Sequence, residues 1–157
     1  MEGEITNGRL ILENVTLLGS CNFRRTSVKI VNSSLLDLTV KLRKCSLNLT
    51  SVTATVFQLR AKHCKIKLKD CQFRNSSLST SYCKLKAKKC TSQSSTLNIV
   101  SGISYLRRLL EFNIEARGLA VVDIANSNLS VKAYPGTKVL TARSIITNKS
   151  TEIIYSV

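Results

Sequence analysis

The sequence has little of the residue types on which most catalytic sites depend. Its 157 residues include no tryptophan, one proline, one histidine (His63) and nine acidic residues. General acid–base catalysis needs positioned histidines or carboxylates, and the sequence contains no GxSxG, HExxH, P-loop or GxGxxG motif. We therefore expect a protein that is not an enzyme and that uses no cofactor.

Long hydrophobic runs are also absent. No apolar stretch reaches the roughly 18 residues that a membrane-spanning helix needs, and the segment 1–4 is acidic, unlike the start of a signal peptide. Hydrophobic residues nevertheless make up 43% of the chain, which is enough for a folded core. We expect a single domain without membrane insertion, located in the cytoplasm or nucleus or associated with a virion.

What the sequence does contain is a repeat. An eight-residue pattern (apolar, any, apolar, any, any, small or Cys, any, apolar) recurs every 19 residues, starting at Val28, Leu47, Ile66 and Leu85. A second series, half a turn out of phase, starts at Cys21, Val40, Leu59, Leu78 and Leu97. The first unit, near Leu10, is one residue short, and the spacing shortens to 17 or 18 residues after about residue 103.

The repeat predicts the fold. Apolar residues alternate with other residues inside each unit, and a period of two is the period of a β-strand. A two-residue gap then shifts the phase, as expected at a corner between two short strands. The predicted fold is an all-β, single-domain, right-handed parallel β-helix (a β-solenoid). It would have about 19 residues per coil and roughly seven or eight coils, in a rod about 35 Å long.

The organisation along the chain follows from the same repeat. Residues 1–9 are predicted to form an N-terminal cap or edge, residues 10–103 the regular solenoid coils, and residues 104–157 less regular coils and a C-terminal cap. The segment 105–112 departs from the alternation and is compatible with one or two helical turns or with a loop that interrupts a coil. Strand edges at the two ends are candidates for contacts between copies of the chain.

The coil unit resembles those of known solenoids. The run 66–73, IKLKDCQF, is similar to coils of right-handed parallel β-helices such as phage tailspikes, pectate-lyase-like proteins and the β-helical capsid protein of atadenoviruses. The small-x-large rhythm of Ser33/Leu35 and Cys71/Phe73 also resembles pentapeptide-repeat solenoids. The resemblance implies the architecture and assigns no functional residue.

The cysteines fall at equivalent positions of the predicted coil. One column contains Cys45, Cys64 and Cys83, and another contains Cys71 and Cys90. Side chains on neighbouring rungs are too far apart at Cβ for relaxed disulfide geometry, so we expect these structural ladders to be buried free thiols in a reducing compartment. Disulfide bonds are one alternative. A metal site is the other, and because only the adjacent His63 and Cys64 suggest it, we assign no metal.

Positive charge is concentrated in one part of the chain. The formal net charge is +15, and the segment 24–89 contains 16 Lys or Arg but only Asp37 and Asp70 as acids, which leaves +14 there. Winding this segment with a 19-residue coil places all of these cations except Arg74 on one side, about half of the circumference. The opposite side carries Ser, Thr, Gln and Asn.

A one-sided cationic surface concentrates polyanions. The alternative is a solvated face that serves only solubility, but the unlike-charge pairs that normally line such columns are missing here. We therefore predict a polyanion-binding site formed by Lys29, Lys41, Arg43, Lys44, Arg60, Lys62, Lys65, Lys67, Lys69, Lys84, Lys86 and Lys88. The partner would be nucleic acid held through its phosphates, an acidic protein or an acidic glycan. Because Tyr82 is the only aromatic residue predicted on this side, base stacking is not expected.

The resulting hypothesis is a viral structural or scaffold protein that engages a polyanion without reading its sequence. The alternatives are an oligomeric, capsid-associated assembly module that binds an acidic protein, and a glycan-binding adhesin. A homo-oligomer would form through the solenoid ends or the Ser/Thr side. Sequons lie at Asn14, Asn32, Asn48, Asn75, Asn128 and Asn148. Glycans at Asn32 and Asn75 would favour the adhesin hypothesis and argue against free thiols.

Overall fold

The structure, a computed structural model, describes residues 2–148 and 154–156. The regular secondary structure of these residues is β-strand, without a helix. The strands are β1 (Glu2–Thr6), β2 (Arg9–Glu13), β3 (Thr16–Arg24), β4 (Ser27–Val31), β5 (Ser34–Arg43), β6 (Ser46–Thr50), β7 (Thr53–Thr55), β8 (Gln58–Lys62), β9 (Lys65–Lys69), β10 (Gln72–Arg74), β11 (Ser77–Lys88), β12 (Thr91–Gln93), β13 (Thr96–Arg107), β14 (Leu110–Arg117), β15 (Val121–Ala125), β16 (Asn128–Ala133), β17 (Lys138–Ala142), β18 (Ile145–Asn148) and β19 (Ile154–Ser156).

The strands pair in parallel with strands one coil away, and the registers reproduce the repeat. Val28 lies beside Leu47, and Ile66 lies beside Leu85, so the offset is 19 residues in the regular coils. The offset is 18 where Leu10 lies beside Val28, and it is 18 and then 17 in the later coils. The predicted all-β parallel solenoid with about eight coils is confirmed. The right-handed sense of the winding stays a prediction.

Each regular coil has three sides, and each side consists of one strand segment. In one coil, face I is the segment 39–43 of β5, face II is β6 and face III is β7. In the next coil, β8, β9 and β10 lie directly beside these three segments. Two-residue corners separate the faces, and we name each corner after the faces that it joins. Outward residues on one face therefore form columns parallel to the rod.

Each corner of the regular coils begins with a residue in the left-handed backbone region. Corner I/II, for example, has φ near +53° at Lys44, His63 and Tyr82 in three successive coils. Asparagine tolerates this region better than other non-glycine residues. It is found there at Asn7, Asn14, Asn32, Asn75 and Asn126. Val56, at φ 52°, is the sterically least suited corner residue because its side chain branches at Cβ.

The second corner residue points inward and explains the Ser or Cys of the repeat. The Sγ of Cys64 accepts a hydrogen bond from the backbone N–H of Cys45 at 3.4 Å, and this thiol donates to the carbonyl of Lys62 at 3.2 Å. At corner III/I, the Oγ of Ser76 accepts from the N–H of Phe57 at 3.2 Å. A buried N–H without a partner is costly, so these side chains satisfy backbone groups that the strand ladders leave open.

Inward side chains form one continuous core along the rod. In β9, Ile66 and Leu68 are buried while the lysines between them are exposed. Among the aromatic residues of the core, the Phe73 and Phe112 rings pack edge to face, with 5.9 Å between their centroids. Since the core uses only alternate strand residues, the outward positions are free to carry charge.

The segment 105–112, for which the sequence left helical turns or an interrupting loop open, forms two strands and a corner. β13 continues to Arg107 and β14 begins at Leu110. Leu106 enters the core as a strand residue and Leu109 enters it as a corner residue, so the three-residue spacing reflects a corner and not a helical turn.

The first coil of the rod is described almost completely, whereas its C-terminal end is described in part. At the N-terminal end, β1 and β2 already belong to the first coil. At the other end, much of the predicted C-terminal cap, residues 149–153 and 157, lies outside the described residues. No helix that is long and apolar enough to span a membrane is found in the described part of the chain.

Candidate polyanion-binding surface

Face I carries the first group of predicted cations. Lys41 lies beside Arg60 of the next coil, and Arg43 lies beside Lys62, so two columns run next to each other. Arg24 extends the second column by one coil. All five side chains are exposed, because their neighbours along each strand point into the core. With rungs about 4.8 Å apart, the charged groups share one surface.

Face II carries a denser group. The exposed residues of β9 and β11 that lie beside one another are Lys65, Lys67 and Lys69 on the first strand and Lys84, Lys86 and Lys88 on the second. These strands make a grid of six lysines, with about 4.8 Å between rungs and about 6.6 Å between neighbours on one strand. Lys29 belongs to the middle column two coils earlier, with Asn48 between it and Lys67.

Corner I/II joins the two groups. Arg25, Lys44, His63 and Tyr82 occupy its first position in successive coils, and all four are exposed. The rings of His63 and Tyr82 stack with 5.4 Å between centroids and 18° between planes. Lys89 lies at the far edge of face II, at corner II/III. We call the contiguous patch formed by the cations of face I, corner I/II, face II and Lys89 the basic surface. It consists of Arg24, Arg25, Lys29, Lys41, Arg43, Lys44, Arg60, Lys62, Lys65, Lys67, Lys69, Lys84, Lys86, Lys88 and Lys89.

The structure brings all twelve predicted polyanion-binding residues together on the basic surface, and each of them is exposed. The strand registers match the predicted columns. Arg74 lies apart on face III, where its Nε donates a hydrogen bond to Oε1 of Gln93 at 3.0 Å. The role of the twelve residues in binding stays a prediction.

Acidic residues within the described ranges form no ion pair with the basic surface, although Glu4 lines an open groove beside Arg24 and Lys41. In the described ranges, the ion pairs are Arg107–Asp123 at 3.2 Å and Arg117–Glu115 at 3.4 Å, and both lie in the C-terminal coils. Like charges on neighbouring rungs repel each other, and two unit charges 4 Å apart in water interact by about 1 kcal/mol. The basic surface therefore opposes folding to some extent, and a partner that neutralises it would remove that cost.

Face III has the same strand geometry but little charge. Its outward residues in the regular coils include Thr53, Thr55, Gln72, Thr91 and Gln93. With Arg74 and Glu111 they line an open groove of about 550 Å³. Beneath the groove, the hydroxyl of Ser92 is buried and has no hydrogen-bond partner among the described residues. The neutral side predicted opposite the cations is therefore present.

The cysteine columns are buried, and their structural role stays a prediction. Cys45, Cys64, Cys71, Cys83 and Cys90 are buried free thiols, and burial raises the pKa of the Cys45 thiol. The interaction between the neighbouring thiols of Cys64 and Cys83 raises the pKa of Cys64 and lowers the pKa of Cys83 to about 7. Cys83 is only 4% exposed, so solvent hardly reaches it. Within the described residues, no group of three or more His, Cys, Asp or Glu could hold a metal ion.

Sequence reasoning missed the ring pair at corner I/II. It treated Tyr82 as a lone aromatic residue on the cationic side and did not connect it with His63. The sequence does indicate that the two rings are neighbours, because His63 and Tyr82 are separated by 19 positions, which is the coil period. The register alone therefore stacks them, and the ring pair lies between the cations of faces I and II.

Comparison with known proteins yields distant structural likenesses. No protein family and no curated protein matches the chain. A trypsin-treated variant of QnrB1, a plasmid-mediated fluoroquinolone resistance protein, is 13% identical with a TM-score of 0.38, and the match covers 96% of this chain and 92% of that one. Full-length QnrB1 is 12% identical with a TM-score of 0.27, and the match covers 94% of each chain. These values are too low to extend the resistance function to this chain.

Proposed function

We propose that this solenoid is a non-catalytic binding protein that holds nucleic acid through its phosphates, without reading the base sequence. The observation that carries the proposal is the basic surface, in which the parallel register collects fifteen exposed cations. No ion pair to an acid involves these cations among the residues that the structure describes. A viral role and a reducing location stay predictions.

The chemistry of the basic surface suits a regular polyanion. Ammonium and guanidinium groups contact phosphate oxygens and release the counterions that had neutralised them, so affinity falls steeply as salt is added. For six phosphate contacts to single-stranded nucleic acid, log K should fall with log salt concentration with a slope of about −4. The lysine grid on face II by itself offers six such contacts.

The test is a binding titration over a salt series, read by fluorescence anisotropy of a labelled oligonucleotide. The double variant Lys67→Glu/Lys86→Glu reverses two neighbours in the middle column of face II. It should weaken binding strongly and make the salt slope shallower by about 1.4. The matched control, Arg74→Glu/Lys132→Glu, changes the net charge equally at exposed positions outside the basic surface.

The control separates local from overall charge. If both double variants lose the same affinity, net charge and not the basic surface governs binding. If the wild-type chain binds no nucleic acid at low salt, the proposal is wrong. In that case, a defined oligomer in light scattering or capture by an acidic protein would favour the assembly-module alternative.

A further inference from the structure

The ring pair at corner I/II has no evident role in the fold. Tyr82 is 58% exposed, and its ring stacks on the His63 ring with 5.4 Å between the centroids. Its backbone lies in the left-handed region at φ 53°, which is unfavourable for a bulky side chain and which asparagine tolerates better. Neither burial nor backbone preference therefore accounts for a tyrosine at this corner.

One face of the Tyr82 ring is left open. His63 stacks on the side of the preceding coil. On the other side, the next coil places Ser101 beside Tyr82 and Gly102 beside Cys83. Ser101 is buried and Gly102 has no side chain, so neither corner residue of this coil is large enough to cover the ring. Ile103 follows them on face II, beside Lys84. The corner thus ends in an exposed aromatic surface with space for another planar group.

Cations border this aromatic surface on both sides. Lys62 precedes the ring pair on face I, and Lys65 and Lys84 follow it on face II. An open groove of about 430 Å³ runs along the corner below the rings, with Arg25, Lys44, His63 and Lys65 among its lining residues. A chain that carries anions at regular intervals and planar groups between them would match both features.

The sequence alone gave no reason to expect base stacking, but the stacked ring pair does. We infer that the nucleic acid is single-stranded and that one of its bases stacks on Tyr82, which His63 supports from behind. This inference rests on the proposed function and names the kind of nucleic acid. In a duplex the bases are already stacked within the helix, whereas an unpaired strand can place a base on an aromatic side chain. Neighbouring phosphates would then contact Lys62, Lys65 and Lys84.

The experiment compares three labelled ligands of about ten nucleotides at one salt concentration. They are a single strand, its abasic counterpart with the same phosphates but no bases, and the corresponding duplex. Each is titrated with the wild-type chain and with Tyr82→Asn and Tyr82→Phe. Asparagine suits the left-handed corner and removes the ring, whereas phenylalanine keeps the ring. The exposed position of Tyr82 leaves the core intact in both variants.

We expect Tyr82→Asn to lower the affinity for the single strand by about 5- to 150-fold. The abasic strand should be bound equally by wild type and variant, and Tyr82→Phe should retain the stacking. His63→Asn should lower single-strand affinity by a smaller factor, because it removes only the supporting ring.

The possible failures are distinguishable. If Tyr82→Asn binds the single strand as tightly as wild type, or loses the same factor for the abasic strand, base stacking plays no part although the phosphate-binding proposal stands. If wild type binds the duplex as tightly as the single strand or more tightly, the inference is wrong while the phosphate-binding proposal again stands. If wild type binds none of the three ligands, the phosphate-binding proposal fails and this inference fails with it.

Discussion

Replacing Lys67 with glutamate should make the protein more stable, although it removes a cation from the basic surface. Lys67 lies beside Lys86 of the next coil, and Lys65 and Lys69 flank it on its own strand. At the rung spacing of about 4.8 Å, two like charges in water repel by about 0.9 kcal/mol. Charge reversal turns that repulsion into attraction, and similar smaller changes apply to the neighbours on the strand.

The expected gain is smaller than the Coulomb sum. Counterions screen exposed charges over about 8 Å at physiological ionic strength, and exposed ion pairs measured in proteins contribute about 0.2–1 kcal/mol. We therefore expect Lys67→Glu to raise the free energy of unfolding by about 0.5–1 kcal/mol at low salt. For a chain of this size that is a rise in Tm of about 1–4 °C.

Thermal and urea unfolding, followed by circular dichroism at low salt and near 1 M salt, would measure the effect. The gain should almost vanish at high salt, where the screening length is about 3 Å. Arg74→Glu is the control, since it makes the same charge change next to the uncharged Gln93 on face III. If Lys67→Glu lowers stability at low salt, or if its gain persists at high salt, repulsion within the basic surface is not the cause.

Three further predictions concern the corners, each measured as the change in unfolding free energy in urea. Val56→Asn should stabilise the fold by about 1 kcal/mol, because asparagine accepts the left-handed backbone better than a branched side chain; no gain would mean that the corner is unstrained. Cys64→Ser should be nearly neutral because a hydroxyl can still accept the hydrogen bond from the Cys45 N–H. Cys64→Ala removes the acceptor and should cost about 1–3 kcal/mol. Equal effects of the two variants would contradict the role of Cys64 as a hydrogen-bond acceptor. Gly102→Ala should cost more than about 1 kcal/mol, because φ is +85° and a Cβ would lie 2.3 Å from the Cys83 carbonyl oxygen; a neutral result would contradict that geometry.

The sequence was sufficient to predict the coil and its columns. In a parallel solenoid one number, the coil period, determines which residues are neighbours, and the pattern repeats that number several times between residues 28 and 103. The columns of Lys67 with Lys86 and of Cys45 with Cys64 follow directly from it. The later coils were predicted less well, since the period changes to 18 and 17 and each deleted residue has to be located separately.

The corners could not be predicted in detail, because the residue type at a corner does not determine its backbone conformation. Lysine, histidine, tyrosine and valine all occupy left-handed positions that composition alone would assign to glycine or asparagine. The parallel stacking imposes the conformation, and the inward Ser or Cys that follows supplies the missing hydrogen bond. The three-residue spacing of Leu106 and Leu109 imitates a helix for the same reason, since a corner lies between them.

The location of the basic surface is not a consequence of the fold. Core packing and corner hydrogen bonds use inward residues, and outward positions on all three faces have similar strand geometry and exposure. Face III fills them with threonine and glutamine, which cause no repulsion, while faces I and II fill them with lysine and arginine, which do. A solubility requirement would be met by cations on any face and would be served better by mixed charges. The repulsion is confined to the two faces that meet at the ring pair, as expected if a bound polyanion there neutralises it.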